Sequence, residues 1–97
     1  MFARFLRIQT KIKRIDEASK LFEESVIPLC KTQKGYKGAY FLTDRKTGKS
    51  IPITLWESEK DMLANEQSRF FQEQVVKFMG LFTAPPIREA YEVVVQD

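Results

Sequence analysis

"ITLWESEKDM" (53–62) changes hydrophobic period halfway along, and that change decides the fold. Ile53, Leu55 and Trp56 read as a strand, and from Ser58 a run of charge reads as a helix. Ser58 is a suitable cap, and Asp61 sits where the positive end of the helix favours an acid. Upstream, "KSIPITLWE" (49–57) completes this strand and "KGYKGAYFLTD" (34–44) forms the preceding one. "DRKTG" (44–48) joins them as a polar hairpin loop with its glycine near the end.

Farther upstream, "FARFLRIQT" (2–10) reads as the first strand. Ile15, Ala18, Phe22, Val26 and Leu29 then step by three and four, the stripe of an amphipathic helix. Pro28 should kink that helix or end its regular part, since it removes a backbone donor. Downstream, the helix begun at Ser58 runs through Asn65 and bends or restarts near Gln67. Phe71, Val75, Phe78 and Phe82 form a second stripe, with Gly80 as a natural stop. "APP" (84–86) breaks the chain, and "IREAYEVVV" (87–95) is the last strand.

The order is βαββαβ, an α+β ferredoxin-like arrangement with a four-stranded antiparallel sheet and helices on one face. A sheet with one wet face alternates apolar and polar residues. Here Phe2, Leu6 and Ile8 oppose Ala3 and Phe5, and Tyr36, Tyr40 and Leu42 oppose Ala39 and Phe41. Ile51, Ile53 and Leu55 oppose Thr54 and Trp56. Aromatic residues on both faces imply that both are buried, while the helices cover only one. A second copy of the sheet satisfies the other, so a homodimer is expected.

Bulk composition narrows the chemistry. With 97 residues the chain makes one domain, 1–97, because half of it could not bury a core. No apolar run approaches the ~20 residues of a membrane span, and no signal-peptide pattern opens the chain. Cys30 is alone and has no internal disulfide partner, so a cytoplasmic protein is expected. There is no histidine, which removes the commonest general base and metal ligand. The net charge of +3 is spread along the chain without a basic block, so no nucleic-acid surface is implied.

"KGYKGAYF" (34–41) resembles the aromatic strand motif of RNA-recognition domains, whose strand order is the same. It falls on the second strand instead of the third, which argues against RNA binding. A wider resemblance runs along nearly the whole chain. "MFARFLRIQTK", "DEASKLFEESVIPLCKTQKGYKGAYFLTDRKTGK" and "ITLWESEKDMLANE" follow one another as in the antibiotic biosynthesis monooxygenase family. They resemble its opening strand, its first helix with the glycine-aromatic lead-in and hairpin, and its third strand with the following helix. Lys34 replaces the family's usual proline. The resemblance implies a dimeric α+β barrel with its two sheets facing each other. It also implies oxygenation of a small aromatic or quinone-type substrate without metal, flavin or haem. Haem cleavage, another activity on this fold, is excluded: Asn65 and Gln74 stand near the places of its tryptophan and histidine, and strand one lacks its asparagine.

In that family the pocket lies between the sheet and its own helices. Asn65, Trp56 and Arg7 are the catalytic candidates, and Trp56, Tyr40, Phe71 and Phe22 the substrate-binding ones. Tyr91, Arg4 and Arg88 are further polar or aromatic candidates. Each also has a packing role to weigh. Trp56 marks the end of strand three in members of differing function, which favours packing over chemistry. Tyr40 and Tyr91 suit a core or dimer interface, and Asn65 suits a helix bend. Arg4 and Arg7 point to opposite faces, so one pocket can use only one of them. Cys30 has no base partner and reads as a small core residue. A non-catalytic homodimeric binding or structural protein of the same fold is the alternative. A cavity lined by Trp56, Asn65 and Phe71 favours an enzyme or binder; a solid interface of Phe22, Phe71 and Phe78 favours a structural role.

Overall fold

Strands β1 (Phe2–Gln9), β2 (Tyr36–Thr43), β3 (Lys49–Trp56) and β4 (Ile87–Glu92) pair antiparallel in the order β2-β3-β1-β4. That is the ferredoxin-like order expected from the chain. The structure, a computed structural model, describes residues 1–97. The last strand stops three residues short of the predicted 95. Val93 still donates to the Met1 carbonyl at 2.8 Å, just past the last β1–β4 pair, Phe2 with Glu92.

All helices lie on one face of the sheet. The first is continuous from α1 (Ile15–Leu21) through a π turn (Phe22–Val26) to α2 (Ile27–Cys30). Pro28 therefore neither ends nor breaks it. In the π turn the Ile27 amide reaches back to the Phe22 carbonyl, one residue farther than in an α-helix. The extra residue loosens the turn ahead of Pro28, whose ring would otherwise press on the Glu24 carbonyl. The second helix restarts where expected, as α3 (Glu59–Glu66) and α4 (Arg69–Phe78). Ser58 and Ser68 cap them, their hydroxyls accepting from the Asp61 and Phe71 amides at 3.1 and 3.3 Å. Gly80 falls inside a 3₁₀ turn (Met79–Leu81), beyond the end of α4 at Phe78.

Two apolar clusters fasten helices to sheet. Ala18, Phe22, Phe78 and Leu81 form one, with Phe41 of β2 packed against it. Cys30, Trp56 and Met62 form the other, under Phe2, Tyr36 and Ala90. Tyr36 therefore does not share a face with Tyr40 and Leu42, as simple alternation predicted. The β2–β3 register shifts between Tyr36 and Gly38, and the bulge turns Tyr36 towards the helices. Gly48 closes the β2–β3 hairpin at φ +82°, and a Cβ there would fall on the Thr10 carbonyl oxygen.

The far face of the sheet carries no helix. Across it run the rows Tyr40–Ile53–Phe5 and Leu55–Ala3–Tyr91, with Leu42 beside Ile51. Phe5 and Tyr91 stack at 5.6 Å. In the single chain this apolar face is open, with Tyr40 59% and Tyr91 57% exposed. Its two-sided aromatic pattern is thus real, but the second face is not buried within one chain.

Candidate functional site

A cavity of about 80 Å³ lies between the sheet and its helices. Strand alternation aims Arg4, Leu6 and Ile8 of β1 and Pro52 and Thr54 of β3 into it. The helical stripes supply the roof. Phe22 and Val26 of the π turn face Phe71, Gln74, Val75 and Phe78 of α4, which are spaced by three, one and three. Most of the lining is aliphatic or aromatic, and its polar groups are few and placed by identifiable neighbours.

Arg4 is the strongest of these. It is only 5% exposed, so its guanidinium is almost fully out of water. Nη2 donates to Asn65 Oδ1 at 2.8 Å. Its charged plane lies 4.6 Å from the Phe71 ring centre and 5.4 Å from that of Trp56, within cation–π range of both. Glu66 Oε1 stands 3.6 Å from Nη1, close enough to balance charge and too far for a hydrogen bond. Nη1 therefore has no hydrogen-bond partner in the protein. Burial lowers the Arg4 pKa from its ordinary value while Glu66 opposes the shift. A guanidinium starts so far above neutrality that Arg4 stays charged. Glu66 also accepts from exposed Arg88, so two cations share one carboxylate.

Gln74 is the second polar group. It is 7% exposed, and its Oε1 accepts from the Ser25 hydroxyl at 2.8 Å. Ser25 in turn accepts from Lys77 Nζ at 2.9 Å, which commits its single proton to Gln74. The relay fixes the amide, leaving Nε2 as a buried donor with no partner. Cys30 also lines the cavity. Burial pushes its thiol pKa up, against a smaller lowering by Arg4, so the thiol is protonated at neutral pH.

The structure divides the sequence candidates. Phe22, Phe71 and Asn65 come together around the cavity, with Arg4. Trp56 stands one layer back: it is fully buried, donates from Nε1 to Thr54 Oγ1 at 2.9 Å, and supports Arg4 from beneath. Tyr40, Tyr91 and Arg7 fall on the open face, because their positions alternate with the inward ones. They cannot reach this cavity. Arg7 instead pairs with Glu89 at 2.9 Å, and that contact raises its pKa. Arg88 meets the cavity only through Glu66. Gln74 was not a positive candidate, although a signal existed. It interrupts the apolar stripe Phe71–Val75–Phe78 at an inward position, as Arg4 interrupts Phe2–Leu6–Ile8. No three His, Cys, Asp or Glu side chains gather into a metal-ligating group, and no helix is long and apolar enough to cross a membrane.

No protein-family model and no curated protein matches the chain by sequence. Solved structures do match it in shape. A protein from Bordetella bronchiseptica with the provisional name antibiotic biosynthesis monooxygenase superposes with a TM-score of 0.82 at 19% identity, covering 97% of each chain. A similarly named protein from Deinococcus radiodurans gives 0.80 at 11% identity, over 100% of this chain and 96% of that one. One from Nitrosomonas europaea gives 0.78 at 9%, over 98% and 100%. The chain therefore has the fold of structures named antibiotic biosynthesis monooxygenase, as the sequence resemblance implied.

Proposed function

We propose that this protein is a homodimeric, cofactor-independent oxygenase acting on a small aromatic or quinone-type substrate held between the sheet and helices. The observation that carries this reading is the apolar, phenylalanine-lined cavity with a buried, charged Arg4 in its wall, one of whose donors has no hydrogen-bond partner. A deprotonated phenol gives an electron to oxygen without a redox cofactor, and recombination at the ring then forms a carbon–oxygen bond. For 1-naphthol, one oxygen atom becomes the new quinone carbonyl. The other leaves as water with the phenolic proton and the ring hydrogen it replaces, so no external reductant is needed. The contribution of the protein is a dry site, orientation, and a positive group beside the developing charge. The open apolar face supports the second copy, whose sheet would cover Tyr40, Leu42 and Tyr91.

Oxygen uptake with 1-naphthol, in the presence of a chelator, tests the reading. It requires saturable uptake proportional to protein, with one oxygen consumed per quinone formed. Uptake no faster than with heat-denatured protein contradicts it. A second reading, binding without turnover, is favoured by one specific feature. Arg4 and Cys30 are the only ionisable lining residues, and neither is a base at neutral pH. Under that reading 1-naphthol binds in the cavity and oxygen is not consumed.

A further inference from the structure

Two residues that line the cavity each hold a buried donor without a hydrogen-bond partner. Arg4 Nη1, 3.6 Å from Glu66 Oε1, and Gln74 Nε2 have no hydrogen-bond partner in the protein, although both residues are more than nine-tenths buried. An unmet donor in an apolar environment is costly, and more so when it is charged. Here the cost is built in. The Lys77–Ser25 relay holds the Gln74 amide with its donor end free, and Asn65, Trp56 and Phe71 hold the Arg4 guanidinium plane.

Charge at the Arg4 end is also unbalanced. Arg4 and Arg88 face the single carboxylate of Glu66, and the thiol of Cys30 is neutral. The local excess is one positive charge. The rest of the lining, Phe22, Phe71, Val75 and Phe78 among it, suits a flat apolar body.

We propose that the cavity takes its aromatic ligand as an oxyanion, with Arg4 Nη1 and Gln74 Nε2 as the two donors that receive ligand oxygens. This rests on the aromatic-binding reading above and narrows it to a ligand class: planar aromatic anions such as phenolates, with a second acceptor elsewhere on the ring. Gln74 is then a specificity-determining residue, because a purely apolar side chain there would leave the second acceptor unmet.

The test uses 4-nitrophenolate, which carries an anionic oxygen at one end and a nitro acceptor at the other. Its neutral counterpart of similar shape is 4-nitroanisole. Titration of the intact protein is expected to favour the anion by about tenfold or more, the worth of a hydrogen bond to a buried charged donor. Just below the pKa of the free dye, bound dye is expected to show the absorption of the anion. Gln74→Leu is expected to weaken nitrophenolate binding about tenfold and nitroanisole, which keeps the nitro acceptor, in the same proportion, so that the preference for the anion set by Arg4 survives in the variant. If that variant does not fold, the wild-type preference and the spectrum of the bound dye decide the matter. Equal binding of the two probes, or a bound dye that takes up a proton, overturns the oxyanion assignment and leaves aromatic binding standing. Binding of neither probe overturns both.

Discussion

Replacing Trp56 by phenylalanine separates packing from chemistry at the residue that first draws attention in the sequence. The indole is fully buried, donates to Thr54 Oγ1 at 2.9 Å, and meets Tyr36 edge-on at 5.8 Å. Phenylalanine removes the donor, which strands a buried threonine hydroxyl and costs about 1 kcal/mol. The smaller ring buries less carbon and leaves a void, which costs about 1.5 kcal/mol. It is also a weaker partner for the Arg4 cation, by about 0.5 kcal/mol. Together these amount to about 3 kcal/mol, a large share of the stability of a small domain. Urea unfolding followed by circular dichroism at fixed protomer concentration is the assay. With a slope of about 1.5 kcal/mol per molar, the midpoint should fall by about 2 M with the slope unchanged. Affinity for 1-naphthol should fall by less than about fivefold, because no indole atom borders the cavity. A stability loss under about 1 kcal/mol, or abolished binding in a fully folded variant, would refute this division of roles.

Three further outcomes follow from the same contacts. Gly48→Ala places a Cβ on the Thr10 carbonyl at a φ of +82°, and should lower the melting temperature by about 10 °C, read by differential scanning calorimetry. Cys30 has a thiol pKa raised by burial, so its contribution is full below the unfolded-state pKa and is lost as pH rises through the folded value. Wild type should therefore lose more stability than Cys30→Ala between about pH 8 and about pH 10; equal losses would contradict the assignment. Ile53 lies between Tyr40 and Phe5 on the open face, and Ile53→Lys should shift the dimer expected in size-exclusion chromatography to monomer. A wild type that elutes as a monomer would remove the dimer from the account.

The order of elements could be read from the chain because each signal was local. The period change at Ser58, the stripes through Phe22 and Phe71, and the hairpin at Gly48 all depend on neighbours in sequence. What failed depended on partners farther away. The bulge beside Tyr36 reverses a face because β2 and β3 slip past each other there, which alternation within β2 alone does not reveal. The π turn ahead of Pro28 keeps a helix running through a residue that usually interrupts one. Helical spacing points Phe22 and Phe71 inward, and Asn65, singled out as a poor helix former, lines the same cavity. Tyr40 and Arg7 entered the candidate list by residue type, and strand parity puts both on the open face. Parity had already put Arg4 and Arg7 on opposite faces, and only packing showed which face held the cavity. Its place in an apolar stripe marks Gln74 in the sequence, but the fixing of its amide comes from Ser25, 49 positions away.

One placement carries the proposed function: an aromatic oxyanion between sheet and helices, reached by Arg4 and Gln74. A crystal structure of the protein soaked with 4-nitrophenolate tests it most directly. The account predicts the ring against Phe71 and Phe22, with one ligand oxygen within about 3 Å of Arg4 Nη1 and another near Gln74 Nε2. A ligand seated instead on the open face beside Tyr40 and Tyr91, or a cavity that stays free of it at saturating concentration, would contradict it.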